Sequence, residues 1–137
     1  MRRPSAAVWL DLGNAYRGAQ LFDKAEEAYR KALALDAALA DAQFDLGLLY
    51  LDGEKAGTPA LARLEQAVLF FDAFEQAGGR EPKLADYRKD AAKAIDREKK
   101  RLAREERDRL RREAEAKKKE EEARKEAEAA AAKAAAE

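Results

Sequence analysis

Apolar residues recur at helical spacing through the first two thirds of the chain, and no segment alternates as a strand would. Val8, Leu12, Ala15 and Tyr16 mark one face of a first helix. Asp23, with Glu26 three residues later, has the arrangement of a capping box and predicts where a second helix starts. The face of that helix is Ala25, Ala28, Tyr29 and Ala32, where small residues alternate with a large one so that antiparallel helices can interlock. Leu46, Gly47 and Tyr50 belong to a third helix. The run Asp52 to Pro59 holds two glycines and reads as a turn, with Thr58 as N-cap and Pro59 in the first helical position of a fourth helix. Its stripe is Leu61, Leu64, Val68, Phe71 and Phe74. Gly78-Gly79 ends it, Pro82 opens the next, and Leu84, Tyr87, Ala91 and Ala94/Ile95 continue the spacing. Residues 80–95 are thus expected to cover the last hairpin, with Leu69 and Phe70 as their contacts. The pattern predicts an all-α protein.

Two of these units are copies. Gly47 lies 34 residues after Gly13, and Leu46 and Tyr50 match Leu12 and Tyr16. Ala67, Phe71 and Phe74 match Ala25, Tyr29 and Ala32 once eight residues are inserted near 52–59. In the first copy, Trp9, Leu12, Gly13 and Tyr16 have the spacing W-x2-L-G-x2-Y, and Ala25, Tyr29 and Ala32 follow at A-x3-F-x2-A. This resembles a tetratricopeptide repeat over its whole period. Ala37 stands where the family often has proline, and Gln43 where it has tryptophan. The resemblance implies an α-α superhelix of two repeats, about 6–39 and 40–79, with 80–95 as a terminal covering helix.

From Asp96 to Glu128, 26 of 33 residues are charged, with no Gly or Pro. Acid-first pairs four apart, Asp96/Lys100, Glu105/Arg109, Asp108/Arg112, Glu113/Lys117, Glu115/Lys119, Glu120/Arg124 and Glu121/Lys125, favour a helix without a core. Residues 96–137 are therefore expected to form a charged, Ala-rich helical extension acting as a spacer. A coiled-coil strand is the first competing reading, against which Leu102 and Leu110 stand eight apart, and disorder is another. The stretch Arg97 to Arg112 has nine basic and four acidic residues, but interleaved acids and missing aromatics argue against nucleic acid. Glu113 to Glu137 is similar in composition to the helical spacer of TolA-type envelope proteins.

Composition narrows the chemistry. Equal numbers of basic and acidic side chains, 28 each, argue against general affinity for nucleic acid or anionic lipid. There is no Cys and no His, which removes disulfides, thiolate and imidazole catalysis and the usual zinc sites. The carboxylates lie on charge-paired helix faces, and no Gly-rich phosphate motif is visible. No enzyme activity, catalytic residue, metal or cofactor is expected. No apolar run follows Met1-Arg2-Arg3-Pro4, and none spans a bilayer, so a cytoplasmic protein is expected, or a periplasmic or envelope-associated one if an export signal was removed.

Function follows from the resemblance, in which ligands lie along the concave face built from first helices. That face would present Leu10, Asn14, Arg17, Asp41, Phe44, Leu48, Leu51 and Asp52, with Phe44 and Leu48 as apolar anchors for a peptide or partner helix. The carboxylate clamp of chaperone-binding relatives is absent. Only Asn14 matches it, Leu10 replaces a lysine, and Asp45 would repel a carboxylate. The expectation is a protein-binding scaffold, monomeric or weakly self-associating through the tail. The alternative is a structural or oligomerisation element, including an adaptor in a bacterial secretion, pilus or gliding-motility assembly.

Overall fold

The structure, a computed structural model, describes residues 3–137; the Met1-Arg2 part of the basic start lies outside them. Among the described residues five helices follow in order: α1 (Ala6–Gly18), α2 (Phe22–Leu35), α3 (Ala40–Asp52), α4 (Ala60–Gln76) and α5 (Leu84–Ala136). Among the described residues there is no strand, and no helix is long and apolar enough to cross a membrane. The chain divides into two compact units, residues 1–98 and 99–137.

In the first unit α1 pairs with α2, and α3 with α4. A glycine sets the approach in each pair. A Cβ on Gly13 would stand 2.5 Å from the ring of Tyr29, and one on Gly47 would stand 2.5 Å from the ring of Phe71. Both hairpins thus seat an aromatic ring on a bare backbone, in the register that the eight-residue insertion requires. Tyr29, Phe71 and Leu46 are the largest fully buried side chains, and Ala25, Ala32, Ala42 and Ala67 are buried beside them. Each large one contributes roughly 1.5–3 kcal/mol of burial.

The helix starts differ from the sequence reading. α2 begins at Phe22 with Leu21 as N-cap and no side-chain cap, because Phe22 itself enters the core. Asp23 therefore sits inside the first turn, where its charge meets the positive end of the helix dipole. The α1–α2 turn is closed by the backbone: Leu21 N donates to the Tyr16 carbonyl over 2.9 Å, with Gln20 left-handed at φ 62°. α4 starts at Ala60, with Pro59 rather than Thr58 as N-cap. α5 starts at Leu84 rather than Pro82, after a turn in which Leu84 N donates to the Glu81 carbonyl.

Burial along α1 also departs from expectation. Val8 is 52% exposed and Ala15 is exposed, whereas their repeat equivalents Ala42 and Leu49 are buried. The reason is packing order: α3 lies against α2, while no described helix precedes α1.

The opening turns of α5 pack on the second hairpin. Leu84 and Ala91 are buried, and the Tyr87 ring lies 5.7 Å from Phe44 and stacks 6.3 Å from Phe71. Arg88 bridges to Asp72 at 2.8 Å and pairs with Glu75. Leu69 and Phe70 are not the contacts. Leu69 is 58% exposed, and Phe70 turns to Tyr50, 5.1 Å away, and to the Arg30 guanidinium. The side of α4 that meets α5 is instead carried by Phe71, Asp72 and Glu75.

Residues 99–136 are helical, with almost every side chain exposed. Ion pairs there include Arg101 with Glu105, Arg109 with Glu106 and Glu113, Arg111 with Asp108, Arg124 with Glu128 and Lys125 with Glu121. Of the expected acid-first ladder in this unit, Glu121/Lys125 is among these pairs. The others run base-first or three apart, because most bases have acids within reach on both sides and choose by rotamer.

Candidate functional site

An open cleft of about 790 Å³ lies where the C-terminal ends of α1 and α3 come together. Phe22, Leu48 and Leu49 supply its apolar lining. Asn14, Arg17, Gly18 and Gln20 border it from the α1 side, and Asp52, Gly53 and Glu54 from the α3 side. The two first helices of the hairpins bring the same register of the repeat to one place, so residues 34 apart become neighbours: Asn14 and Leu48 share the cleft.

A polar network fixes the α1 wall. The buried Tyr29 hydroxyl donates to Asn14 Oδ1 at 2.6 Å and accepts from Arg17 Nε at 3.1 Å. Arg17 also faces Asp45 of α3 at 3.9 Å. Burial pushes the Tyr29 hydroxyl pKa up, against the hydrogen bond from Arg17. Burial likewise pushes the Asp45 carboxyl up; Arg17 and a hydrogen bond from Asn14 oppose this, and Asp41 one turn away reinforces it. Arg17 is thus committed to two partners within the protein.

The insertion is tied down at the opposite wall. Lys55 Nζ donates to Glu26 Oε1 at 3.0 Å and to the Tyr50 hydroxyl at 3.2 Å, and the Tyr50 hydroxyl donates to Glu26 Oε2. The same ammonium stands over the rings of Tyr50 and Phe22. Burial alone would raise the Glu26 carboxyl; the hydrogen bonds from Tyr50 and Lys55, with the charges of Arg30 and Lys55, outweigh it and hold the carboxyl below its ordinary value. Arg63 of α4 donates to the carbonyls of Tyr50 and Leu51, closing the last turn of α3. These ties hold Gly53 and Glu54 at the rim of the cleft. A Cβ on Gly53 would collide with the Leu49 carbonyl and the Phe22 ring.

Asn14, Arg17, Leu48 and Asp52 therefore line one cleft. Phe44 does not reach it. Its ring packs 5.1 Å from Phe74, 5.7 Å from Tyr87 and 6.0 Å from Phe71, closed over by the first turns of α5. Leu10 and Leu51 pack half-buried against the core, and Asp41 is exposed on α3 outside the cleft lining. Phe22, Gln20, Leu49 and Glu54 are lining residues that the sequence reading left out. Phe22 and Glu54 carried no usable signal, since one depends on where α2 starts and the other on how the insertion folds.

No protein-family model, curated protein or solved structure matches the chain. No group of three or more possible metal ligands converges among the described residues.

Proposed function

We propose that the chain is a protein-interaction module of tetratricopeptide type, which binds a short peptide or partner helix in the cleft between α1 and α3. The observation that carries this is the cleft itself, with an apolar floor at Leu48, Leu49 and Phe22 and polar groups at its rim. Its volume falls within the roughly 300–1,000 Å³ common for ligand clefts, and it stays open on one side, as a peptide would need. It lies on the face that the repeat resemblance assigns to ligands. Leu48, not Phe44, is the apolar anchor in this reading, with Asn14 and Asp52 orienting the bound segment.

Backbone amide NMR during titration with a peptide library tests it. Binding should shift Asn14, Gly18, Leu48, Asp52 and Gly53 together. Perturbations confined to α2, α4 or the helix beyond residue 98, or none with any peptide, would sink the reading. A second reading, self-pairing through α5, is favoured by one observation: Leu110 in the second unit is 51% exposed.

A further inference from the structure

The proposed cleft does not say what chemistry it accepts, but its charges do. From Ala40 to Glu54 the chain holds Asp41, Asp45, Asp52 and Glu54 and no basic residue. No ion pair engages Asp52 or Glu54 among the described residues; the cation lining the cleft, Arg17, is committed to Tyr29 and Asp45, and Lys55, next to Glu54 in the chain, to Glu26 and Tyr50. Two helices also end at the cleft, α1 at Gly18 and α3 at Asp52, so two negative dipole ends point the same way. Apolar floor, unspent carboxylates and helix C-termini together fit a cationic segment that carries an apolar side chain.

Such a segment exists in the chain. The zero net charge is divided: residues 1–98 hold 14 basic and 17 acidic side chains, and residues 99–137 hold 14 basic and 11 acidic. Within the second unit, Lys100, Arg104, Arg107 and Arg111 follow at intervals of four, three and four, which places them on one helix face. All are exposed, and no ion pair engages Arg104 or Arg107 among the described residues. Leu110, three residues from Arg107, adjoins the stripe and is half exposed.

We infer that the cleft of one chain receives the Arg104–Arg111 stripe of a second copy, with Arg104 and Arg107 against Asp52 and Glu54 and Leu110 toward the Leu48 floor. The inference rests on the cleft being a docking site. Because donor and acceptor surfaces differ, the contact is heterologous and carries the chain toward open chains or closed rings rather than a two-fold dimer.

Equilibrium sedimentation of the full chain at low and high salt tests it, with circular dichroism confirming that each variant keeps its helicity. Association should appear at low salt and weaken at high salt. It should weaken about tenfold or more in Asp52→Lys/Glu54→Lys and in Arg104→Glu/Arg107→Glu, and return in the chain carrying all four reversals. Association that survives the cleft reversals overturns the inference in favour of helix pairing through α5. A chain that stays monomeric while library peptides still shift the cleft amides overturns the inference and leaves the interaction-module reading standing. A monomer that also binds no peptide overturns both.

Discussion

Gly13 and Gly47 each carry the flat of an aromatic ring where any side chain would intrude. The contact follows from the repeat alone, since the glycine and ring positions recur with the same partners in both hairpins. Gly47→Ala should lower stability by about 1–3 kcal/mol, read from the urea midpoint, because the Phe71 ring is fully buried and has nowhere to retreat. Phe44 belongs to the same aromatic cluster. Phe44 is partly buried, so Phe44→Ala is expected to cost about 2–3 kcal/mol of stability, below the roughly 3–5 kcal/mol of a fully buried ring, and a variant of native stability would contradict the packing described. Glu26 makes a pH-dependent contribution. Its folded pKa lies below the ordinary 4.5, so the stability it adds is present above that value and is lost as pH falls through the folded pKa. The stability difference between wild type and Glu26→Gln should therefore shrink below pH 4.5; a difference constant from pH 3 to 7 would rule the ionised carboxylate out as its source.

At the scale of elements, the insertion and the last helix behave in opposite ways. The insertion is held by Lys55, Glu26, Tyr50 and Arg63 and contributes its rim to the cleft. In the second unit α5 has no core, and its visible support is a set of exposed ion pairs within the helix. Salt should screen those pairs, so ellipticity at 222 nm for a peptide of residues 99–137 should fall between 0.01 M and 1 M NaCl. No change would show that intrinsic propensity of its Ala, Lys and Glu residues is sufficient. Much of this was readable from sequence: four short helices, a stretched second hairpin, and a long charged helix. The caps were not. Asp23 and Thr58 each looked like an N-cap, but burial of Phe22 moved one boundary, and the other settled one residue later, at Pro59.

For the molecule as a whole, the packed unit ends at Glu98. A chain cut after Glu98 should unfold cooperatively with the midpoint of the first unit in the intact protein. A chain cut after Lys83 would uncover Phe44 and Phe71, and should lose about 2–5 kcal/mol. Equal stability of the two truncations would show that the opening turns of α5 contribute nothing to the core.

What the sequence determined by itself was whatever depends on the period of a single helix: an all-α chain, the paired glycines and rings, the insertion, and the charged extension. Helical spacing is local, and it reports which residues share a face. It does not report what stands opposite that face. Tertiary packing decided that Val8 and Ala15 are exposed while Ala42 and Leu49 are buried, although the repeat makes them equivalent. It also decided that Phe44 faces Tyr87 and that Leu48 faces the cleft. The physical reason is the same in each case. A residue's burial is set by the helix that lies against it, and that neighbour is fixed by the order of packing rather than by the residue's own spacing.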